Sequence, residues 1–463
     1  VAVTLIYSGH YDTGQAYYGS LQVSDGVPFS HFVGIPGAMP QMQSKCDVTV
    51  LDLESALRSD GRTVDLDLVL ELAAKAIDSQ EATLVTDVTT SGLAKIKVAK
   101  ETLHIEDVIG KGTAQIELRE TLPLPAAGEI TPRLLELQGR FRMAEKRVTV
   151  DKAVISGTMS YKATCAAIGE STGEEHVVVY RWDDVSRVEL STGIPGSHSG
   201  MVAYPQIASP IISGRLVGDR QILAVEGVLT AEIKVVQPLE IKVLTDLLAE
   251  TDTEVGIRRE LIQVQQVGET VGKDVYVDGT VGLSESRPAV ERLLDIEARA
   301  KVTNASAVGG RALVSGYVDL AAMYVGRTDD FSQPVYHASW GNAGIFEANI
   351  SVPTASTAPV ADVEATVIVE DARAELLSRD TIGFHVTARV LCRVQESMTK
   401  EVVAEAVELR KFKGRPPTYT CVIMQPEDTL WKLATKYRTS MESLMENNPV
   451  LAETIVAGAL PVG

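Results

Sequence analysis

Apolar and polar residues alternate along most of the first 410 positions. Residues 222–236, with the sequence ILAVEGVLTAEIKVV, place apolar side chains at every second position and include several β-branched residues. This period of two is typical of a half-buried β-strand. The same pattern predicts strands at residues 148–156, 274–281, 366–370 and 384–394. We therefore expect a mainly β fold whose domains are sandwiches or barrels.

Short sequence words recur in this region at a single offset of 159 residues. Four different words at one offset indicate an internal duplication. Each copy has a front half, with an Arg-Leu-Leu word and a Ser-Gly word, and a back half, with a Gly-Ile-Pro-Gly word that suits a turn. The matched pairs are residues 133–137 with 292–296, 156–157 with 315–316, 34–37 with 193–196, and 69–70 with 228–229.

The duplication changes the prediction for residues 66–77. Their sequence, LDLVLELAAKAI, has the residue types of a helix. Their counterpart lies within residues 222–236, where the alternation indicates a strand. Because duplicated segments share a backbone, we predict a strand at residues 66–77 as well.

The repeats divide the chain into five segments. We predict an incomplete first repeat (1–100), a second (101–258), a third (259–410), a linker (411–417) and a small module (418–463). Residues 1–19 resemble the closing strands of a front half, with Ser8-Gly9 matched to Ser156-Gly157. We expect the rest of that front half to precede Val1. The incomplete first repeat would leave a strand edge unpaired, to be completed by that segment or by another chain.

The pattern changes near Tyr419. Residues 419–425 alternate like a short strand, and Asp428 and Thr429 are residue types that cap helices. Leu430, Leu433, Ala434 and Tyr437 then share one helical face. Ser440 can cap a second helix with Leu444 on its inner side, and residues 455–462 have the pattern of a last strand. The module is predicted to be a small β-α-α-β unit.

Charge and candidate chemistry exclude several classes of function. The 463-residue chain has a net charge of −19 and no cluster of Lys and Arg, so we expect no nucleic-acid partner. No apolar run approaches the roughly 18 residues of a membrane span. The seven histidines and four cysteines lack metal-ligand spacing. Residues 268–274 and 196–200 lack key residues of a phosphate loop and a serine nucleophile. We predict a non-enzymatic protein with no catalytic residue, metal or cofactor.

The C-terminal module resembles a LysM domain. The resemblance is carried by residues 426–431 (PEDTLW), 435–437 (TKY) and 448–449 (NP). It implies a shallow groove for N-acetylglucosamine polymers such as peptidoglycan. Two departures, Glu427 in place of glycine and Ala457-Gly458-Ala459 in place of Pro-Gly-Gln, favour a protein ligand over a sugar. For Leu430 and Trp431, core packing is the favoured role over ligand stacking. The groove candidates for either ligand are Glu427, Asp428, Thr429, Leu430, Asn448, Pro449 and Ile455.

The whole chain resembles SPOCS-domain proteins of spore-forming Firmicutes, since tandem β repeats with the Ser-Gly and proline words precede a single C-terminal LysM module. The resemblance implies tandem β-sandwich-like SPOCS domains and a role in spore envelope assembly, on the mother-cell side of the forespore surface. It also implies that the LysM module contacts a spore coat morphogenetic protein, the ATPase of the coat's basement layer, rather than sugar.

Three functions remain open from the sequence. The leading interpretation is a structural scaffold for coat assembly. One alternative is a self-assembling spore or cell-surface appendage, a homo-oligomer in which Cys46 or Cys392 cross-links chains and which lies on the extracellular surface. The other is a protein anchored to peptidoglycan by its LysM module. Binding to insoluble peptidoglycan, assembly of the pure protein and a stable complex with a coat protein distinguish the three.

Overall fold

The chain divides into two compact units in a computed structural model. The smaller unit contains residues 1–3 and 22–83, and the larger unit contains residues 4–21 and 84–463. The residues that the structure describes are 3–12, 15–23, 26–77, 84–89, 96–124, 129–169, 173–218, 222–249, 253–327, 334–352, 361–411, 420–425, 428–437 and 439–449.

Antiparallel strands form nearly all of the regular structure in these residues, and two short helices lie near the C-terminus. The fold is mainly β, as predicted. The strands are β1 Val3–His10, β2 Ala16–Val23, β3 Gln43–Leu57, β4 Val64–Ile77, β5 Ile96–Pro123, β6 Glu129–Thr149, β7 Lys152–Gly169, β8 Glu175–Gly193, β9 Val202–Ile207, β10 Ile211–Val217, β11 Ile222–Ala249, β12 Thr253–Val267, β13 Val271–Gly282, β14 Val290–Val308, β15 Arg311–Gly326, β16 Val335–Ser351, β17 Ala361–Ser378 and β18 Thr381–Lys411. The helices are α1 Leu430–Tyr437 and α2 Met441–Glu446.

The duplication seen in the sequence is a duplication of sheets. Strands β6, β7 and β8 form a three-stranded antiparallel sheet, and β14, β15 and β16 form a second one in the same order. Each middle strand begins 159 residues from the other, and the pairing with the third strand shifts after Met159 in one sheet and after Val318 in the other. The two front halves therefore share even their irregularities.

The Ser-Gly word marks a place where no side chain fits. A Cβ on Gly157 would lie 2.2 Å from the carbonyl oxygen of Arg142, and a Cβ on Gly316 would lie 2.0 Å from that of Lys301. An aromatic ring closes the same space in each copy, from Phe141 in one and from Phe346 in the other. Glycine is needed here because the backbone of a neighbouring strand and a ring approach too closely.

The back halves are larger sheets that also correspond. Strand β11 pairs with β9 and β10 along one edge and with β5 along the other, and β18 pairs with β17 along one edge and with β12 and β13 along the other. The predicted strands at 222–236, 274–281, 366–370 and 384–394 lie within β11, β13, β17 and β18.

Each front sheet packs on its own back sheet to form a sandwich-like core. In the second repeat, Ile155 and Tyr161 of β7 belong to one apolar cluster with Leu223, Leu229 and Ile233 of β11. Each fully buried aliphatic side chain contributes about 1.5–3 kcal/mol to folding. Strands of the third repeat form an equivalent cluster.

An indole hydrogen bond also links front sheet to back sheet in each copy. Trp182 Nε1 donates to the carbonyl oxygen of Pro123 at 3.0 Å, and Trp340 Nε1 donates to that of Gly282 at 2.8 Å. A carbonyl at the end of β5 and one at the end of β13 are thereby satisfied by side chains of the facing sheet. The two back strands are thus fixed to the front sheets in the same way.

The Gly-Ile-Pro-Gly word forms the same turn in both copies. Gly37 has φ +83° and Gly196 has φ +82°. The residue after each glycine donates its N–H to the isoleucine carbonyl three residues earlier, both at 3.1 Å, from Ala38 and from Ser197. Proline followed by a glycine of positive φ is the signature of a type II turn, so the structural role expected for this word is confirmed.

A buried ion cluster joins the second and third repeats within the larger unit. The Asp295 carboxylate is 6% exposed and contacts the guanidinium of Arg181 and the ammonium of Lys162, the latter at 2.7 Å. Lys162 also contacts Glu297. Burial raises the pKa of Glu297, but the positive charge and hydrogen bond of Lys162 lower it further, so that the net shift is downward. The junction therefore depends on ionised carboxylates.

The smaller unit is built on one hairpin. Strand β4 pairs antiparallel with β3, which confirms the strand predicted at residues 66–77 despite its helical composition. Cys46, in this unit, is exposed.

Three expectations are corrected. Residues 148–156 are not one strand, because β6 ends at Thr149 and a turn with Asp151 at φ +54° precedes β7. The match of Ser8-Gly9 to Ser156-Gly157 is also wrong: β1 and β2 meet 159 residues before β7 and β8 do, which places Ser8-Gly9 opposite residues 167–168. Cys392 is 1% exposed and therefore cannot cross-link folded chains.

Candidate functional site

Helix α1 of the C-terminal module is capped by one of the predicted groove residues. Thr429 Oγ1 accepts the Lys432 N–H at 3.1 Å, and the Thr429 carbonyl oxygen accepts the Leu433 N–H at 3.0 Å. This is the N-cap arrangement expected for threonine. Leu430, Leu433 and Ala434 are buried along one face of the helix, as predicted. Leu430 is therefore a core residue of the module.

Helix α2 is capped at both ends by its own side chains. Ser440 Oγ accepts the Ser443 N–H at 3.0 Å, as predicted for this N-cap. At the other end, the Asn448 amide donates to the Leu444 carbonyl oxygen and the Asn447 amide donates to the Ser443 carbonyl oxygen, each at 2.8 Å. These bonds satisfy carbonyls that a helix leaves without partners at its C-terminus. Asn448 thus has a structural role.

The predicted groove residues differ in what they offer a ligand. Asp428 accepts the Gln425 N–H at 2.9 Å through Oδ2, which leaves its other carboxylate oxygen available. Asn448 and Pro449 are exposed on the loop after α2. Two further candidates, Glu427 and Ile455, lie outside the described residues, as does the predicted strand at 455–462. Residues 420–425 carry no strand pairing within the described part of the module.

An aspartate of the β body holds the module through its tryptophan. Trp431 Nε1 donates to Asp246 Oδ2 at 2.7 Å, and the Arg259 guanidinium contacts Asp246 Oδ1 at 2.7 Å. Asp246 lies in β11 beside a register shift and also accepts the Leu247 N–H at 2.9 Å. An indole, a guanidinium and a backbone amide therefore fix this carboxylate, and hydrogen bonds to a charged partner are the stronger kind.

A second polar link joins α2 to β5. The Lys97 ammonium contacts the Glu442 carboxylate in a salt bridge. The hydrogen bond from Lys97 holds the pKa of Glu442 below its ordinary value. Two links, one from each helix, fix both the position and the direction of the module.

The sequence contained no signal for these links. Asp246 is 185 residues from Trp431, and Lys97 is 345 residues from Glu442. Both partners lie in strands whose pattern indicates only burial. Side chains that meet across such separations are found from the fold and not from local spacing.

Comparison with known families identifies two parts of the chain. The family model described as "SipL, SPOCS domain" matches residues 289–377, which hold the third-repeat front sheet and most of β17. The family model of the LysM domain matches residues 423–461. The chain carries a SPOCS domain and a LysM domain. Neither characterised proteins nor solved structures give a match to it.

The two domains define the broad class of the protein. The SPOCS and LysM domains are non-catalytic binding domains. Together they indicate a sporulation-related protein associated with the cell envelope, with a LysM domain of the type that suggests peptidoglycan binding. In the part of the chain that the structure describes, no helix has the length and apolar character to cross a membrane.

Proposed function

We propose that this SPOCS–LysM protein is a non-enzymatic scaffold of the spore envelope that takes part in coat assembly. In this proposal the LysM domain docks a coat morphogenetic protein, and the SPOCS repeats form the rigid body that carries it. The observation that carries the proposal is the hydrogen bond from Trp431 to Asp246, because it makes the LysM domain part of that body.

A fixed LysM domain suits a protein partner for a reason of area. Specific protein–protein interfaces bury about 800 Å² on each partner, which is large for a single small LysM domain. Trp431 and Glu442 hold the domain against β11 and β5, so a partner can contact the domain and the neighbouring strands together. A sugar chain in a shallow groove gains nothing from this arrangement.

Peptidoglycan binding is the second candidate, and the LysM family match favours it. Asn448 and Pro449 are exposed on the loop that the resemblance places beside the groove. Against it stands Glu427, which replaces a glycine where the backbone of a sugar-binding LysM domain approaches its ligand. A charged side chain at such a position hinders close approach.

Complex formation with the basement-layer ATPase of the coat tests the proposal. The full chain and the purified ATPase are expected to elute together in size-exclusion chromatography. Glu446→Lys, which reverses an exposed charge next to the Asn448 loop, is expected to weaken the complex at least several-fold. Glu347→Lys makes the same charge change on the exposed surface of β16 and is expected to leave it intact.

Separate elution of the wild-type chain and the ATPase would contradict the proposal. Equal weakening by the two variants would also contradict it, since the effect would then come from net charge and not from the LysM surface.

A further inference from the structure

The hairpin of the smaller unit has one apolar face. Its register places Val48 opposite Leu72, Leu53 opposite Leu68 and Leu57 opposite Val64, so that these side chains share one side of the sheet. The alternation in β4 adds Leu66 and Leu70 to that side. We name this surface, formed by Val48, Val50, Leu53, Leu57, Val64, Leu66, Leu68, Leu70 and Leu72, the hairpin face.

The hairpin face is exposed, although its counterpart is the centre of a core. Val48, Leu53 and Leu57 have 46%, 50% and 66% of their surface exposed. In the second repeat the residues 159 positions after Val64 and Leu70 are Leu223 and Leu229, and both are 0% exposed. The same β pattern is therefore fully covered in one copy and open in the other.

The second repeat shows what such a face requires. There, β7 and its neighbours cover the face of β11, and β5 pairs along the edge of β11 from Leu223 to Val235. In the smaller unit, β3 and β4 form a two-stranded sheet, and no described strand pairs along the other edge of β4. An open apolar face beside an open strand edge is a site for strand addition.

A neighbouring segment shows the same open condition. Residues 27–34 correspond to residues 186–193, which pair with β7 as part of β8 in the second repeat. Within the described smaller unit, residues 27–34 have no strand pairing, and Phe29 and Phe32 are 47% and 97% exposed. The missing contacts are those that strands of a front half provide in the other copy.

We propose that the hairpin face and the open edge of β4 bind a β-strand of another protein chain. The strand adds antiparallel to β4 as β5 adds to β11, and it carries apolar residues at alternate positions with basic residues between them. This docking site is separate from the LysM domain and does not depend on its function.

The charge of the opposite side of the hairpin specifies the basic residues. That side carries the carboxylates of Asp47, Asp52, Glu54, Asp65, Asp67 and Glu71. In the second repeat, Arg119 of β5 lies directly opposite Glu226, whose counterpart in β4 is Asp67. An Arg or Lys opposite Asp67 in the incoming strand makes the favourable cross-strand pair.

The same charges disfavour a second copy at this edge. Pairing two β4 strands edge to edge would bring the acidic rows of Asp65, Asp67 and Glu71 from both chains together. Like charges across a strand pair are destabilising. A partner strand with basic residues fits the edge, and a second β4 does not.

A peptide with the sequence of β5 provides the probe. We expect a fluorescent peptide of residues 109–124 (IGKGTAQIELRETLPL) to bind the full chain with one peptide per chain, measured by fluorescence anisotropy. Leu70→Asp, on the hairpin face, is expected to weaken binding by about ten-fold or more. Val69→Asp changes the adjacent residue, which lies on the opposite side and is 53% exposed, and is expected to leave binding unchanged.

Changes in the peptide test the proposal without altering the protein. A peptide with Ile116→Pro cannot form a regular strand and is expected not to bind. A peptide with Arg119→Glu places like charges opposite Asp67 and is expected to bind several-fold more weakly.

Three results would overturn the proposal. The first is failure of the unmodified peptide to bind, and the second is equal binding of the peptide to the wild type and to Leu70→Asp. The third is a dimer of the full chain in sedimentation velocity that Leu70→Asp dissociates, because the hairpin face would then join two copies.

Discussion

Gly157 has a neighbouring strand so close that its hydrogen cannot be replaced by a methyl group. We expect Gly157→Ala to destabilise the larger unit by about 1–3 kcal/mol, since the carbonyl oxygen of Arg142 lies 2.2 Å from the added carbon and is part of a strand. Chemical denaturation measures the change.

Gly193→Ala is the matched control for that substitution. A Cβ on Gly193 would lie 3.9 Å from its nearest neighbour, which is ordinary contact. We expect its effect to stay within about 0.5 kcal/mol. Equal destabilisation by the two substitutions would show that the close approach at Gly157 does not explain the Ser-Gly word.

The ion cluster at the repeat junction makes stability depend on pH. Lys162 holds the pKa of Glu297 below its ordinary value of 4.5, so ionisation of Glu297 stabilises the folded chain. That contribution is fully present above pH 4.5 and is lost as the pH falls through the lowered folded value.

Removal of the lysine charge tests this dependence. We expect Lys162→Met to lower stability at pH 7 and to make the loss of stability below pH 4.5 less steep, as measured by thermal unfolding across pH. Arg119→Met removes an exposed partner of Glu117 and is expected to keep the wild-type pH dependence. An unchanged slope for Lys162→Met would contradict the role of the cluster.

Single residues were predicted from the sequence where a repeated word limited the choices. The glycines of the Gly-Ile-Pro-Gly word were correctly assigned to turns because two copies carried the same residues. The match of Ser8-Gly9 to Ser156-Gly157 failed because two small residues in a strand define no position on their own. Asp246 was missed because nothing near it in the sequence indicates a contact with Trp431.

At the scale of elements, the link between α1 and β11 determines whether the LysM domain moves with the body. Trp431→Phe keeps the aromatic ring and removes the N–H that Asp246 accepts. A hydrogen bond to a charged group contributes about 1.5–3 kcal/mol, so we expect faster amide hydrogen exchange in α1 and α2 and unchanged exchange in β11.

Ile423→Ala serves as the control for that exchange experiment, because Ile423 is 86% exposed and lies next to the helices. Wild-type exchange in α1 and α2 is expected for this variant. If Trp431→Phe also exchanged like the wild type, the Trp431–Asp246 bond would not hold the domain.

Strands were predicted well where two copies could be compared. Residues 66–77 have helical propensity, but tertiary pairing with β3 overrides it, and the counterpart in β11 revealed this from the sequence. Residues 148–156 were predicted as one strand because the alternation continues across the turn. Asp151 adopts a left-handed conformation there, which aspartate tolerates without any change in the apolar pattern.

At the scale of the whole molecule, the order of repeats and the C-terminal module were visible in the sequence, and the family matches to residues 289–377 and 423–461 agree with them. The joining of these parts was not visible. The buried Asp295 cluster and the Asp246 link both form between side chains more than 100 residues apart. Such contacts follow from the packing of complete sheets.

Sedimentation of the full chain with insoluble peptidoglycan tests most directly whether the LysM domain binds protein or sugar. The account predicts that the wild-type chain stays in the supernatant. It also predicts that Glu427→Gly, which restores the residue of a sugar-binding LysM domain, moves part of the chain to the pellet. Sedimentation of the wild-type chain itself would contradict the account and establish the protein as one anchored to the wall.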